Sequence, residues 1–335
     1  MKVIVVGGGV GGLELVRNLR DVEVTLIEPR KEFVCQALLP EFVVGKIDEH
    51  EMKVRIADLC DRLGVDWMRD KAVKVESDRV ITERNELEFD YLVISIGAKP
   101  LKLKNTYGLD RACKDALRDA QDVVVIGSGV TGVECAFELV ECGYNVKIIE
   151  YCNRILPMFS KKVSSYVERL MKREKIDVIV SCKVLDVDKC IKTDLGDVEY
   201  DLAISCIGLK PNPLEGLKTK NGWIVVDDFL RVKENIFAIG DCAYVSLNGE
   251  VATKTALEAE RQAKITAKNI TRLMKGEKLL RYKISSSLKK PTTFITLGRR
   301  RAILIYKGLL ISRPMRILYR IRRSFIESFM KRYKT

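Results

Sequence analysis

Short runs of aliphatic, largely β-branched residues recur along this chain, and five of them end on a glycine: Gly7, Gly97, Gly127, Gly208 and Gly240. Runs of four or five such residues predict strands rather than helices, and their unbroken apolar character predicts burial on both faces, as in a parallel sheet. The first, Val3-Ile4-Val5-Val6, enters the turn Gly7-Gly8-Gly9-Val10-Gly11-Gly12; a helical stretch over residues 13–19 and a strand over 22–27 follow, ending on Glu28. The succession returns 120 residues later: a strand over 123–126, the turn Gly127-Ser128-Gly129-Val130-Thr131-Gly132, a helix through Leu139 stopped by Gly143, and a strand over 146–149 ending on Glu150.

The resemblance between the two halves extends past the glycines. After weaker strands over 66–68, 72–76 and 79–82, residues 89–98 read Phe-Asp-Tyr-Leu-Val-Ile-Ser-Ile-Gly-Ala, and residues 200–208 read Tyr-Asp-Leu-Ala-Ile-Ser-Cys-Ile-Gly. This predicts an α/β chain with two Rossmann-like dinucleotide-binding domains, the second shortened. A further strand enters Gly240-Asp241, and a helix is expected over 253–273. The expected division is 1–104 with 224–280, an inserted domain 105–223, and a C-terminal segment 281–335.

Glycines at the first, third and sixth positions of such a turn allow a tight bend, close approach of a pyrophosphate, and close helix-strand packing. The unpaired N–H groups of the following helix hold the phosphates. Glu28, 21 residues after Gly7, and Glu150, 18 after Gly132, stand where a ribose would offer its hydroxyls. Two copies in matching context predict two bound dinucleotides.

At 335 residues, 47% hydrophobic and 31% charged, the composition is that of a globular protein with more than one domain. No run approaches the roughly 20 apolar residues of a spanning helix. Ten scattered cysteines without a Cys-x-x-Cys, and the single His50 among acids, predict neither a disulfide framework nor a metal site. The net charge of +13 is a C-terminal matter: residues 281–335 hold 16 lysines or arginines and one acid, a net of +15, so residues 1–280 stand at −2. On a helical wheel over 313–334, Ile317, Leu318, Ile321, Phe325, Phe329 and Met330 gather on one face and Arg316, Arg320, Arg323, Glu327 and Lys331 on the other, with Arg322 and Arg332 intruding. A basic amphipathic helix of this kind predicts a segment lying in a membrane surface rather than on nucleic acid. Docking on the protein's own body or a second subunit is the other reading.

Two glycine motifs, two strand-Ile-Gly turns and Ile239-Gly240-Asp241-Cys242-Ala243, in this order, resemble the two-dinucleotide-binding-domain flavoproteins of the glutathione-reductase-like superfamily. The resemblance covers about residues 1–275. It implies that Gly7, Gly9, Gly12, Glu28 and Asp241 serve FAD, that Gly127, Gly129, Gly132 and Glu150 serve the nicotinamide nucleotide, and that Gly97 and Gly208 belong with these sites. A redox-active cysteine pair is missing, only Cys35 falling in that region. Phe33-Val34-Cys35-Gln36-Ala37-Leu38-Leu39-Pro40-Glu41 is instead similar to a stretch of type II NADH dehydrogenases, with Cys35 at an aromatic position. Glu134 directly after the second glycine turn, the helix beginning Thr255-Ala256, and Phe294-Ile295-Thr296-Leu297-Gly298-Arg299 resemble the same branch; the family's two glutamines on that helix are replaced by Leu257 and Arg261.

The resemblance implies an NADH:quinone reductase: cytoplasmic, peripheral on the inner face of the cell membrane, with homodimerisation open. Glu134 would act near the nicotinamide or simply complement its helix dipole. Thr255 and Ala256 would face the flavin's pyrimidine edge, or Thr255 would be only an N-cap. Glu150 disfavours a 2′-phosphate and so NADPH, with Arg154 nearby acting the other way. The alternatives are a sulfide:quinone oxidoreductase using Cys113, Cys152 or Cys242, a single-cysteine NAD(P)H-dependent reductase or oxidase, and a non-enzymatic flavoprotein binding acidic partners.

Overall fold

A computed structural model describes residues 1–334. Strand β1 (Lys2–Val6) leads through helix α1 (Val10–Asn18) to β2 (Glu23–Ile27), followed by β3 (Asp66–Met68) and β4 (Tyr91–Ile94). All four are parallel, with β1 between β2 and β4. The second unit repeats the plan: β5 (Asp122–Ile126), α2 (Val130–Glu141), β6 (Asn145–Ile149), β7 (Asp177–Ile179) and β8 (Leu202–Ser205) build a parallel sheet in the order β7-β6-β5-β8. The chain then returns through β9 (Arg231–Lys233) and β10 (Ile236–Ala238), and β10 lies parallel beside β4, completing a six-stranded sheet in the order β9-β10-β4-β1-β2-β3. Helix α3 (Ala256–Met274) packs along α1.

Central strands with helices on both faces need apolar side chains in both directions. Val3, Ile4, Val5, Leu92, Val93 and Ile94 are accordingly all fully buried. Each such side chain contributes roughly 1.5–3 kcal/mol relative to exposure. In both units the chain order reverses at the central strand, β1 or β5. The crevice at the carboxyl end of that strand is the ligand position in open parallel sheets, and it is where the glycine turns lie.

The duplication is visible atom by atom. Asp90 Oδ2 accepts from Lys2 N at 2.7 Å, and Asp201 Oδ2 accepts from Asp122 N at 2.8 Å, so each unit fixes the start of its central strand with an equivalent aspartate. Gly7 N donates to Ile27 O and Gly127 N to Ile149 O, both at 2.8 Å. Each unit also carries a three-stranded antiparallel excursion, over residues 72–88 and 184–198. The strands Ala98–Pro100 and Leu209–Pro211, which follow the two later glycine turns, pair antiparallel with each other and link the units.

Beyond α3 come the antiparallel strands β11 (Thr293–Thr296) and β12 (Ala302–Tyr306), then helix α4 (Arg316–Lys334). Here the structure corrects the helical wheel. The expected apolar face is split: Met330 and Tyr333 are buried and Phe329 is half-buried, while Ile317, Ile321 and Phe325 remain exposed. The two arginines read as intrusions are the reason. Arg322 is buried against Glu41 (3.5 Å) and Glu134 (3.4 Å), and Arg332 reaches Glu260 (2.9 Å) and Glu14 (3.6 Å). Carboxylates enclosed by the body draw in the cations, and the helix turns to supply them. Phe33, Phe329 and Tyr333 stack at 4.6–6.2 Å, and the Tyr333 hydroxyl donates to Glu14 Oε2 at 2.9 Å. Among the described residues no helix is long and apolar enough to cross a membrane.

Candidate functional site: two dinucleotide cradles

The three glycines of each turn have different physical reasons. Gly7 has φ +105°, and a Cβ there would lie 2.4 Å from Ser95 O; a Cβ on Gly12 would lie 1.9 Å from Gly7 O. Their counterparts repeat this, Gly127 against Cys206 O at 2.5 Å and Gly132 against Gly127 O at 2.0 Å. These four are glycine because the protein's own backbone fills the space. Gly9 and Gly129 meet nothing within 4 Å, so the third position of each turn opens onto free space at a helix N-terminus. The helices begin immediately after, and neither N-cap glycine offers a side chain to their first N–H groups. An anion fits there, and the residues present therefore suit a pyrophosphate in both cradles.

The acidic residues close the cradles. Glu28 is buried, with Oε2 accepting from Gly8 N at 2.7 Å and from Arg30 Nη2 at 2.8 Å, and Oε1 from Arg30 N and Nε, both at 2.9 Å. Burial works to raise its pKa, but Arg30 and Gly8 prevail and hold it below the usual carboxylate value. Arg30 thus sits where a ribose would compete for Glu28, which the sequence reading did not anticipate. Glu150 accepts from Ser128 N (2.9 Å) and Ser128 Oγ (2.6 Å) through Oε2 and from Cys152 N (2.7 Å) through Oε1. Against the effect of burial these bonds keep its pKa low. Arg154 does not turn toward Glu150; its Nη2 donates to Pro157 O at 2.9 Å.

Gly97 and Gly208 have φ +63° and +108°, turning the chain away at the ends of β4 and β8. Gly240 (φ +71°) does the same after β10, and its N–H donates to Gln262 Oε1 of α3 at 2.7 Å. The following Asp241 is half-buried, and its carboxylate accepts no hydrogen bond among the described residues. Thr255 caps α3, its Oγ1 accepting from Glu258 N at 3.4 Å, and Ala256 is the exposed first residue of that helix. Asp241 and the start of α3 are brought together by Lys254, whose Nζ donates to Asp241 O at 2.6 Å. Glu258, buried, accepts from Tyr282 Oη (2.5 Å) and from Ser285 N and Ser286 N, fixing the connection to the C-terminal segment.

Glu134 is not a solvent-facing acid at a helix start. It is buried, accepts from Thr296 N of β11 at 2.9 Å, and faces Arg322 of α4. Burial raises its pKa, partly opposed by Arg322. The same guanidinium donates to Ala37 O at 2.8 Å, so the segment 35–41, the glycine-turn helix α2 and the C-terminal helix meet at one residue. Arg30 and Lys254 carry no signal as site residues in the sequence, since a lone cation makes no pattern; for Arg322 the break of the wheel's apolar face was the one available signal.

The cysteines are all free, and six of the ten are buried. Burial pushes the thiols of Cys35, Cys113 and Cys242 up, the last two to about 12 and about 11. None of these three is poised as a thiolate at neutral pH. A cleft of about 560 Å³ lined by Glu141, Lys147, Glu174, Arg299 and Arg301 lies at the far end of α2, away from the glycine turns.

Residues 1–263 match the pyridine nucleotide-disulphide oxidoreductase family. Over 99% of the chain and 95% of the relative, the sequence is 24% identical to ferroptosis suppressor protein 1 of Xenopus laevis. It is likewise 24% identical to the type II NADH:quinone oxidoreductase of Haemophilus influenzae, over 89% of this chain and 86% of that one. The fold is shared with the sulfide:quinone oxidoreductase of Aquifex aeolicus, at a TM-score of 0.83, 18% identity, and coverage of 99% and 91%. The duplicated cradles and this match over most of the chain place it in the pyridine nucleotide-disulphide oxidoreductase family, as an FAD-dependent NAD(P)H oxidoreductase.

Proposed function

We propose that this protein oxidises NADH and delivers two electrons to a membrane quinone. The observation that carries the reading is the pair of complete cradles in one chain, each with an open third glycine and a closing glutamate. We assign FAD to the first, with Gly7, Gly9, Gly12, Glu28, Gly97, Asp241, Thr255 and Ala256, and the nicotinamide nucleotide to the second, with Gly127, Gly129, Gly132, Glu150 and Gly208. We divide the chain into 1–104 with 224–280, 105–223 and 281–335; the six-stranded sheet, drawn from the first part alone, and the four-stranded parallel sheet, drawn from the second alone, support this division. Bound flavin supplies the redox chemistry, accepting a hydride equivalent and passing two electrons onward.

The chain's own groups bind and orient. The N-termini of α1 and α2 hold pyrophosphates, Glu150 takes ribose hydroxyls and disfavours a 2′-phosphate, and Arg154, whose Nη2 donates to Pro157 O, is not turned toward Glu150. Glu134, kept in a water-poor setting with a raised pKa, is suited to hold a proton beside the reacting rings. The similarity to the Haemophilus influenzae type II NADH:quinone oxidoreductase over 89% of this chain supports quinone as acceptor. The exposed Ile317, Ile321 and Phe325, preceded in the chain by the exposed Leu309 and Ile311 and interspersed with arginines, support attachment to the cytoplasmic face of a membrane.

A sulfide-oxidising role is the second reading, favoured only by the fold shared with the Aquifex enzyme; the burial of Cys113 and Cys242 weighs against it, while Cys152 is half-buried. Anaerobic titration separates the two. NADH, more efficiently than NADPH, is expected to bleach the flavin, and a soluble quinone to restore it. If NADH leaves the flavin oxidised while sulfide bleaches it, the proposal fails.

A further inference from the structure

Lys254 lies between the two elements assigned to the flavin and belongs to neither. Its Nζ donates to Asp241 O at 2.6 Å and to Ala243 O at 3.3 Å, and it stands 3.7 Å from the centroid of the Trp223 ring. It immediately precedes Thr255, the N-cap of α3. Its other neighbour, Thr253, is buried and tied through Oγ1 to Ser286 O at 3.1 Å and Ser286 Oγ at 2.9 Å, so the backbone that carries the lysine is anchored on both sides. No carboxylate hydrogen-bonds the ammonium among the described residues; its direct partners are two carbonyl oxygens and an aromatic face, and the Asp241 carboxylate acts on it through space.

A half-buried cation whose one facing carboxylate, that of Asp241, makes no hydrogen bond to it is only partly compensated, and further negative charge arriving beside it is favoured. Burial lowers the lysine's pKa and raises that of Asp241, and each group opposes the shift of the other, as expected for two charges sharing one poorly hydrated site. The reduced flavin carries more negative charge than the oxidised one, and the N-terminus of α3 acts in the same sense as a cation.

We propose that Lys254 is a positioning residue that clamps the Asp241 turn to the start of α3, and that its positive charge, held by neutral carbonyl oxygens, makes the site bind reduced flavin more tightly than oxidised flavin. The inference rests on the assignment of FAD to the first cradle.

Three variants of the full chain separate clamp from charge. K254R keeps both, K254Q keeps a donor but no charge, and K254M keeps neither. Flavin content and the two-electron midpoint potential are measured on each. K254Q and K254M are expected to lose about tenfold in the preference for reduced over oxidised flavin, roughly 30 mV in midpoint potential, with K254R close to the parent. Parental midpoints in K254Q and K254M overturn the proposal. Should either lose its flavin on purification, the same preference is read by titrating the protein with oxidised and with reduced FAD, and equal losses for the two forms overturn it. A parent protein that binds no FAD at all would instead remove the assignment on which the inference stands, and the inference with it.

Discussion

At the scale of single residues, the glycine turns hold positions that look alike in sequence and differ in cause. Gly12 has no room for a methyl group, because the position its Cβ would take is 1.9 Å from Gly7 O. Gly9 has room, because its Cβ would meet nothing within 4 Å. The consequences of Gly→Ala therefore diverge. G12A is expected to destabilise the apoprotein by about 2–3 kcal/mol through overpacking against backbone. G9A is expected to leave the apoprotein's denaturation midpoint unchanged and to weaken FAD binding at least tenfold, because the methyl occupies the approach of the phosphates. Denaturant melts of both apoproteins and flavin titrations check this; a G9A protein as unstable as G12A would show that the third glycine, too, is only packing. The glutamates diverge similarly. Both end their strands as the spacing requires, but the donors already holding Glu28 include an arginine two residues on, and a local hydrogen-bond geometry of that kind has no trace in a one-dimensional pattern.

At the scale of elements, α4 has one face for the protein and another for its surroundings. Tyr333 is fully buried and Phe325 is 67% exposed, although both are aromatic residues on the same helix. Y333F removes the bond to Glu14 and leaves a buried carboxylate short of a donor, at a cost of about 1–3 kcal/mol in unfolding free energy. F325A combined with I321A is expected to change stability by less than about 0.5 kcal/mol and to abolish sedimentation with anionic vesicles. Loss of stability in the double variant with vesicle binding intact would reverse the assignment of the two faces. The periodicity gave the helix and its amphipathicity, with observed bounds Arg316–Lys334 inside the expected 313–334. It could not give the rotation about the helix axis, because that depends on Glu14, Glu41, Glu134 and Glu260, which come from four distant stretches of chain.

At the scale of the whole molecule, α2 of the second unit is tied to the first through Lys46, whose Nζ lies 2.5 Å from Glu138 and 2.7 Å from Glu141. Burial raises the Glu138 pKa from 4.5 to about 7, with Lys46 opposing. The folded protein therefore binds more protons than the unfolded chain between those values. The contribution of Glu138 is fully present below pH 4.5 and is lost as pH rises through about 7. Its upper bound is about 3 kcal/mol. E138Q should flatten this part of the pH dependence; denaturant midpoints at pH 5 and pH 8 that shift equally in parent and variant would contradict it. The sequence by itself determined the parallel strands, the duplication, the two glycine turns with their closing acids, and the basic amphipathic helix. Each is a local pattern, enforced by backbone sterics and by the periodic burial of neighbouring side chains. Only the tertiary structure decided which acids are already occupied, where Arg322 and Lys254 deliver their charges, and which face of α4 is spent on the body. Those outcomes are set by unlike charges from remote segments finding one another in a poorly hydrated interior, and sequence separation carries no information about that distance.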